Sequence, residues 1–440
     1  MAQFRIDRHQ YLNQEKTLFE VVMLADQNGN PVTPGNPSGS AADAFGRART
    51  SLPFTLFDSS YRYQDNGKFA TANTTGGTYS FTSSTASMDL AVNTASGASV
   101  YRETYRVFAY QPGKSLQVLN TFVMNPTKTG LRQRVGYFSV NNGYYLERSS
   151  LTASGVCFVE RSSVTGSVVN TPIDQLSWNV DTMDGNGPSG VVLNLDDPQI
   201  LFIDLEWLGV GTVRMGFVVN GALIICHKFH HANLDTAAKG AYMQTACLPI
   251  RYEVENTSTT GSSSTLKQIC STIISEGGYE LTGKPREIGI EPTSANQVVL
   301  TTPGTYYPVM SIRVNPSYLD AVVIPKQIGL MPINSANYRY KIVVGGTING
   351  ATWTNVTSDS TVQYNANTTA TITGGNTYTS GYITSTVQAG GSINLPDSLF
   401  KYQLERNSFT NTTSTFTLAV TCGTATSNAC GCITFEEIAY

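Results

Sequence analysis

Leu201-Phe-Ile-Asp-Leu-Glu-Trp-Leu-Gly-Val-Gly-Thr-Val-Arg-Met-Gly-Phe-Val-Val-Asn-Gly-Ala-Leu-Ile-Ile-Cys-His-Lys-Phe229 decides the fold class. It reads as three short runs, 201–208, 212–219 and 222–229, each rich in β-branched and large apolar residues, which suit a pleated surface. Asn220-Gly221 between the last two runs is the strongest short hairpin signal, because both residues tolerate positive φ. Gly209-Val-Gly211 reads as the loop joining the first two. With those loops, Leu205, Met215 and Cys226 form one cross-strand row and Ile203, Phe217 and Ile224 the next. Trp207 and Val213 extend the same core face. The opposite face carries Glu206, Arg214 and His227, so Glu206 and Arg214 are expected to form a structural ion pair.

The same short alternations recur on both sides, at 102–110, 116–123, 134–140 and 156–161. Turn signals such as Gln111-Pro-Gly-Lys114 and Asn141-Asn-Gly143 separate them. Many short strands at this spacing predict an all-β chain, an antiparallel sandwich or jelly roll. A strand resumes at 269–275, after the polar stretch 256–265. Gly277-Gly278 then marks a boundary, and a second β domain follows with strands expected at 308–314, 319–324, 338–344, 415–420 and 433–437. Residues 1–60 read as an extended N-terminal arm with one short strand at 18–24, because 28–40 is dense in Gly, Pro and Asn. The resulting division is 1–60, 61–277 and 278–440.

Composition agrees with this division. Charged residues make up 13% of the 440, while Ser and Thr together make up just over a fifth, beside 39 Gly and 23 Tyr. Formal net charge is -3, and Lys and Arg are scattered, so nucleic acid is not expected as a partner. From the polar stretch 1–16 no signal peptide is expected. The most apolar stretch, 215–226, is too short to span a bilayer as a helix, so no membrane partner is expected.

Four groupings could carry chemistry. Asp204 and Glu206 lie at i and i+2 on one strand, roughly 6–7 Å apart, a separation compatible with acid–base work on a glycosidic bond. Cys226-His-Lys-Phe-His-His231 places donors alternately on two faces, so they do not converge on one ion. Asp181-Thr-Met-Asp-Gly-Asn-Gly187 has the oxygen donors of a calcium loop but lacks the closing bidentate Glu. Cys430-Gly-Cys432 with Cys422 has no zinc-ribbon spacing. The expectation is a non-enzymatic chain without cofactor or metal.

Two resemblances follow from particular strings. The segment 201–208 resembles the catalytic strand of the laminarinase-like glycoside hydrolases, which are jelly rolls, but Phe202 stands where the nucleophile would be. This implies a lectin-like sandwich without catalysis. Asp43-Ala-Phe-Gly-Arg-Ala-Arg-Thr-Ser-Leu-Pro-Phe-Thr-Leu-Phe-Asp-Ser59, together with 203–221 and 400–420, resembles a family of virion structural proteins of tailed bacteriophages, particularly those of aquatic bacteria. The resemblance implies a head decoration, fibre or tail-associated protein located in the virion and partnered by other virion proteins. It also implies a homo-oligomer, by analogy with fibre proteins a trimer. The arm would dock on a neighbouring subunit through Phe45, Phe54 and Phe57, with Arg47 and Arg49 beside them. The alternative function is a carbohydrate-binding module that contacts a host-surface glycan, and a less favoured one is a glycoside hydrolase.

Overall fold

Two antiparallel sheets packed face to face bury most of the apolar residues of 54–276. The structure, a computed structural model, describes residues 52–234, 239–280, 282–385, 391–395 and 402–439, with the strands Arg5–Leu12, Leu18–Ala25 and Pro31–Val32. Among them the only helical pieces are two 3-10 turns, Gln175–Ser177 and Pro316–Tyr318. The chain is therefore all-β, as its periodicity predicts. No helix among the described residues is long and apolar enough to cross a membrane.

Contacts divide the chain into 1–52 and 53–440. In the first unit, Leu18–Ala25 matches the expected strand. It pairs antiparallel with Arg5–Leu12 on one side and Pro31–Val32 on the other, a three-stranded sheet in a stretch that reads as irregular.

In the second unit, one sheet has seven strands. Their order is Val169–Asp174, Val156–Ser162, Gly143–Ser149, Leu131–Phe138, Ile250–Asn256, Ser99–Thr104 and Phe69–Asn73. The facing sheet runs Ala222–Phe229, Val213–Val219, Gln199–Leu205, Ser115–Val123, Ser264–Glu276, Ser87–Val92 and Gly77–Thr82, with Phe54–Ser59 paired to Ser264–Glu276. Strict alternation along Ser115–Val123 turns Leu116, Val118 and Phe122 inward. They meet Val135, Leu146, Phe158 and Tyr252 of the other sheet in one core, the packing expected of a sandwich.

The opening quotation folds as the predicted three-stranded meander, with one correction. Asn220 (φ 52) and Gly221 (φ 77) form the tight turn, and Val219 opposes Ala222. The first loop is longer than read, spanning 206–212: the chain leaves the sheet at Leu205, and Glu206 N–H donates to the Thr212 carbonyl at 3.1 Å. Register therefore shifts by two residues, and Leu205 opposes Val213 while Ile203 opposes Met215. A slip of two keeps every side chain on its face, so Ile203, Leu205, Val213, Met215 and Phe217 are all fully buried as expected. The ion pair moves. Arg214 stands opposite Asp204 and pairs with it, while Glu206 lies exposed in the loop. A bulge at Met215/Gly216 also turns His227 into the Met215 row, away from the predicted outer face.

Strands from Lys284 onward build a second pair of sheets. One contains Lys284–Gly289, Ser427–Ala439, Val322–Pro332 and Gly391–Asn394. The other runs Thr354–Asn355, Val362–Asn365, Tyr307–Val314, Phe416–Cys422, Ala336–Val344 and Asn376–Ser385. Val309, Ile312, Leu418 and Val420 of the second face Leu300, Ile328, Ile433 and Phe435 of the first.

Candidate functional site

The two sheets part at one end of the sandwich and leave an open cleft of about 530 Å³. Its floor includes an inward-facing row of the seven-stranded sheet, where Tyr144, Glu160 and Thr171 stand opposite one another. Its other walls come from Val210 in the loop after Gln199–Leu205 and from His231–Leu234 and Lys239–Tyr242. The long first loop of the meander is therefore one wall of the site.

Four side chains hold the cleft together. His231 faces the Gly211 carbonyl through Nδ1 (2.7 Å) and Glu160 Oε2 through Nε2 (2.7 Å). Each ring nitrogen thus faces an oxygen, which fixes the orientation of the imidazole. Tyr144 donates its hydroxyl to the same Glu160 oxygen at 2.8 Å. The Tyr242 ring stacks on the imidazole, with centroids 3.6 Å apart and planes within 13°. Burial first, then the neighbouring Glu160 carboxylate, pushes the Tyr242 hydroxyl above its ordinary range. Val169, Val210 and Leu234 form an exposed apolar rim, and Thr165, Asn233 and Lys239 add polar groups. A flat aromatic wall beside a fixed carboxylate, within an apolar rim, is the mixture that binds small ligands with both CH faces and hydroxyls.

The outward face of the seven-stranded sheet is closed by its own charges. Arg134 contacts Glu253 (2.8 Å) and Glu255 (2.9 Å), and Arg251 contacts Glu253 (2.5 Å) and pairs with Glu103. Burial raises the Glu253 carboxyl, but the two guanidiniums more than offset it and hold it below the usual range. The hairpin 406–413 covers one end of this ladder. Arg406 reaches Glu103 Oε1 at 2.7 Å, and the Phe409 ring lies 5.3 Å from the Arg251 guanidinium.

The other predicted residues are placed as follows. Phe57 is 7% exposed and packs on Phe69 and Phe108, so its ring belongs to the chain's own core. Phe54 lies on the same sandwich strand, beside Tyr279. Phe45, Arg47 and Arg49 lie outside the described residues. Asp204 and Glu206 do not form a facing pair, since one is locked to Arg214 and the other has left the strand; Phe202 is buried. The Cys226–His231 run disperses: Cys226 Sγ touches Met183 Sδ, His227 accepts from the Asn179 peptide, His230 meets Thr212, and only His231 reaches the cleft. Asp181 accepts the peptide N–H groups of Met183 and Ser189 (2.8 Å each), which makes its segment a self-bonded turn. Among the described residues no three His, Cys, Asp or Glu side chains converge as a metal set.

Glu160, Tyr144 and Tyr242 escape the sequence reading. One signal was available: Glu160 follows Phe158 by two residues, so it takes the core-facing parity of its strand, where a carboxylate needs a reason.

No protein-family model matches the chain, and no curated protein matches it. Among solved structures it is similar to a Bacillus licheniformis beta-glucanase (10% identity, 52% of this chain and 99% of that one, TM-score 0.34). It is also similar to peanut lectin with a nine-residue peptide (10% identity, 51% and 98%, TM-score 0.31). A third is the Emp47p carbohydrate recognition domain (8% identity, 49% and 91%, TM-score 0.30). At 8–10% identity the likeness is one of backbone course alone.

Proposed function

We propose that this chain is a non-enzymatic structural component of a phage particle whose sandwich contacts a host-surface glycan through the cleft. The observation that carries the binding reading is the Glu160–His231–Tyr242 arrangement, a pre-formed carboxylate and aromatic wall at the open end of the sandwich. Binding without turnover is favoured because Glu160 is the one carboxylate among the described lining residues, and glycoside hydrolysis ordinarily needs two. The virion assignment is supported by the resemblance of 43–59, 203–221 and 400–420.

The test is a glycan array with the full chain, followed by calorimetry on any hit with Glu160→Gln and Tyr242→Ala. Binding weakened about tenfold or more by either variant, the loss of one charged hydrogen bond or one stacking wall, is the expected result. Binding untouched by both would remove the cleft from the account. Mass spectrometry of purified particles tests the virion assignment separately.

A further inference from the structure

The strands of the six-stranded C-terminal sheet contain three cations, Arg313, Arg339 and Lys341, and no Asp or Glu. Elsewhere most buried and half-buried arginines are paired with carboxylates: Arg102 with Asp65, Arg134 and Arg251 with the glutamate ladder, Arg286 with Glu437, Arg406 with Glu103. Arg161 differs, but its guanidinium is buried and bonded to Asn170, the Ser139 carbonyl and the Tyr145 hydroxyl. Arg339 and Lys341 stand at i and i+2, so both rise from the face opposite the core, where like charges repel. Their cross-strand neighbours are neutral: Thr421 and Tyr382 beside Arg339, Ala419 and Ser380 beside Lys341.

Each cation lies instead on an aromatic ring. The Arg339 guanidinium is 5.3 Å from the Tyr382 ring, and Lys341 Nζ is 4.1 Å from that of Tyr306. Further along the sheet Arg313 lies 4.2 Å from Trp353. Tyr382 is 76% exposed, so this end of the face is open, and Arg339 Nε is buried without a hydrogen-bond partner. Rings hold the cations in place without neutralising them.

We propose that this face is a second binding site, for an acidic polysaccharide, with Arg339 and Lys341 pairing its carboxylate, sulfate or phosphate groups while Tyr382 and Tyr306 support its sugar rings. An acidic glycan is favoured over nucleic acid because the chain's net charge of -3 supplies no long-range field for a polyphosphate backbone. The site lies on other strands than the cleft and does not depend on it.

Affinity electrophoresis of the full chain in gels containing polygalacturonate, dextran sulfate or neutral dextran tests this. Retardation by at least one acidic polymer and not by dextran is expected. It should weaken about tenfold or more in the Arg339→Gln/Lys341→Gln double variant, two charged contacts being lost. It should persist in Glu160→Gln, which separates this site from the cleft. Both substitutions are at half-exposed positions, and unchanged thermal melting confirms folding. Equal migration in acidic and neutral gels, retention of binding by the double variant, or equal retardation by single-stranded DNA of matched charge would each overturn the proposal.

Discussion

Glu253 is the residue on which the outward ladder turns, because it joins Arg134 to Arg251 at 2% exposure. Glu253→Gln leaves two buried guanidiniums under-compensated and should cost about 3 kcal/mol in urea unfolding. Since its carboxyl is held below the usual range, its contribution is present above pH ~4.5 and is lost as pH falls through the lowered value. His227 acts at milder acidity. Burial first, then the neighbouring His230, pushes it down to about 4, and its Nδ1 accepts the Asn179 peptide N–H, which requires the neutral ring. The unfolded chain takes up that proton near pH 6.5, so stability should fall between pH 6.5 and 4, by on the order of 2 kcal/mol. Urea midpoints across that range should be flatter in His227→Gln, which keeps an acceptor for Asn179 without titrating there. Neither role is legible in the sequence. Register places both side chains, and a one-residue bulge reverses the parity from which His227 reads as outward-facing.

Elements were more legible than their joints. The meander, its Asn-Gly turn and its core face follow from alternation and from one dipeptide, and all appear in the structure. The 206–212 loop is masked in the sequence because Trp207 and Leu208 continue the apolar run, while Leu208 (φ 38) and Gly209 (φ 77) already turn the chain. A double-mutant cycle measures the difference. Asp204→Ala with Arg214→Ala should show coupling of about 0.5–1 kcal/mol, as for a pair with one partner exposed. Glu206→Ala with Arg214→Ala should add within about 0.3 kcal/mol. Coupling of Glu206 and not Asp204 would restore the shorter loop. At the second turn, Gly221→Val forces a β-branched residue to φ near +77 and should cost about 1–2 kcal/mol by thermal melting.

At the scale of the molecule, fold class and the paired-sheet layout were readable because both depend on periodicity and turn chemistry, which are local. The cleft was not, since it joins Glu160, Gly211, His231 and Tyr242 from separate strands and loops. The strand Phe54–Ser59 shows the same limit: its turn-rich approach reads as an arm, yet Phe57 fills the sandwich core. Truncation after Leu52 should therefore leave the melting transition of the remaining chain intact, whereas truncation after Ser60 should lower it by several degrees through loss of a buried aromatic strand. The most direct test of the central claim is calorimetric titration of the intact chain with the best glycan from an array, beside Tyr242→Ala. The account predicts saturable one-site binding that the substitution weakens about tenfold or more. Identical isotherms for the two proteins, or no glycan bound by either, would contradict it.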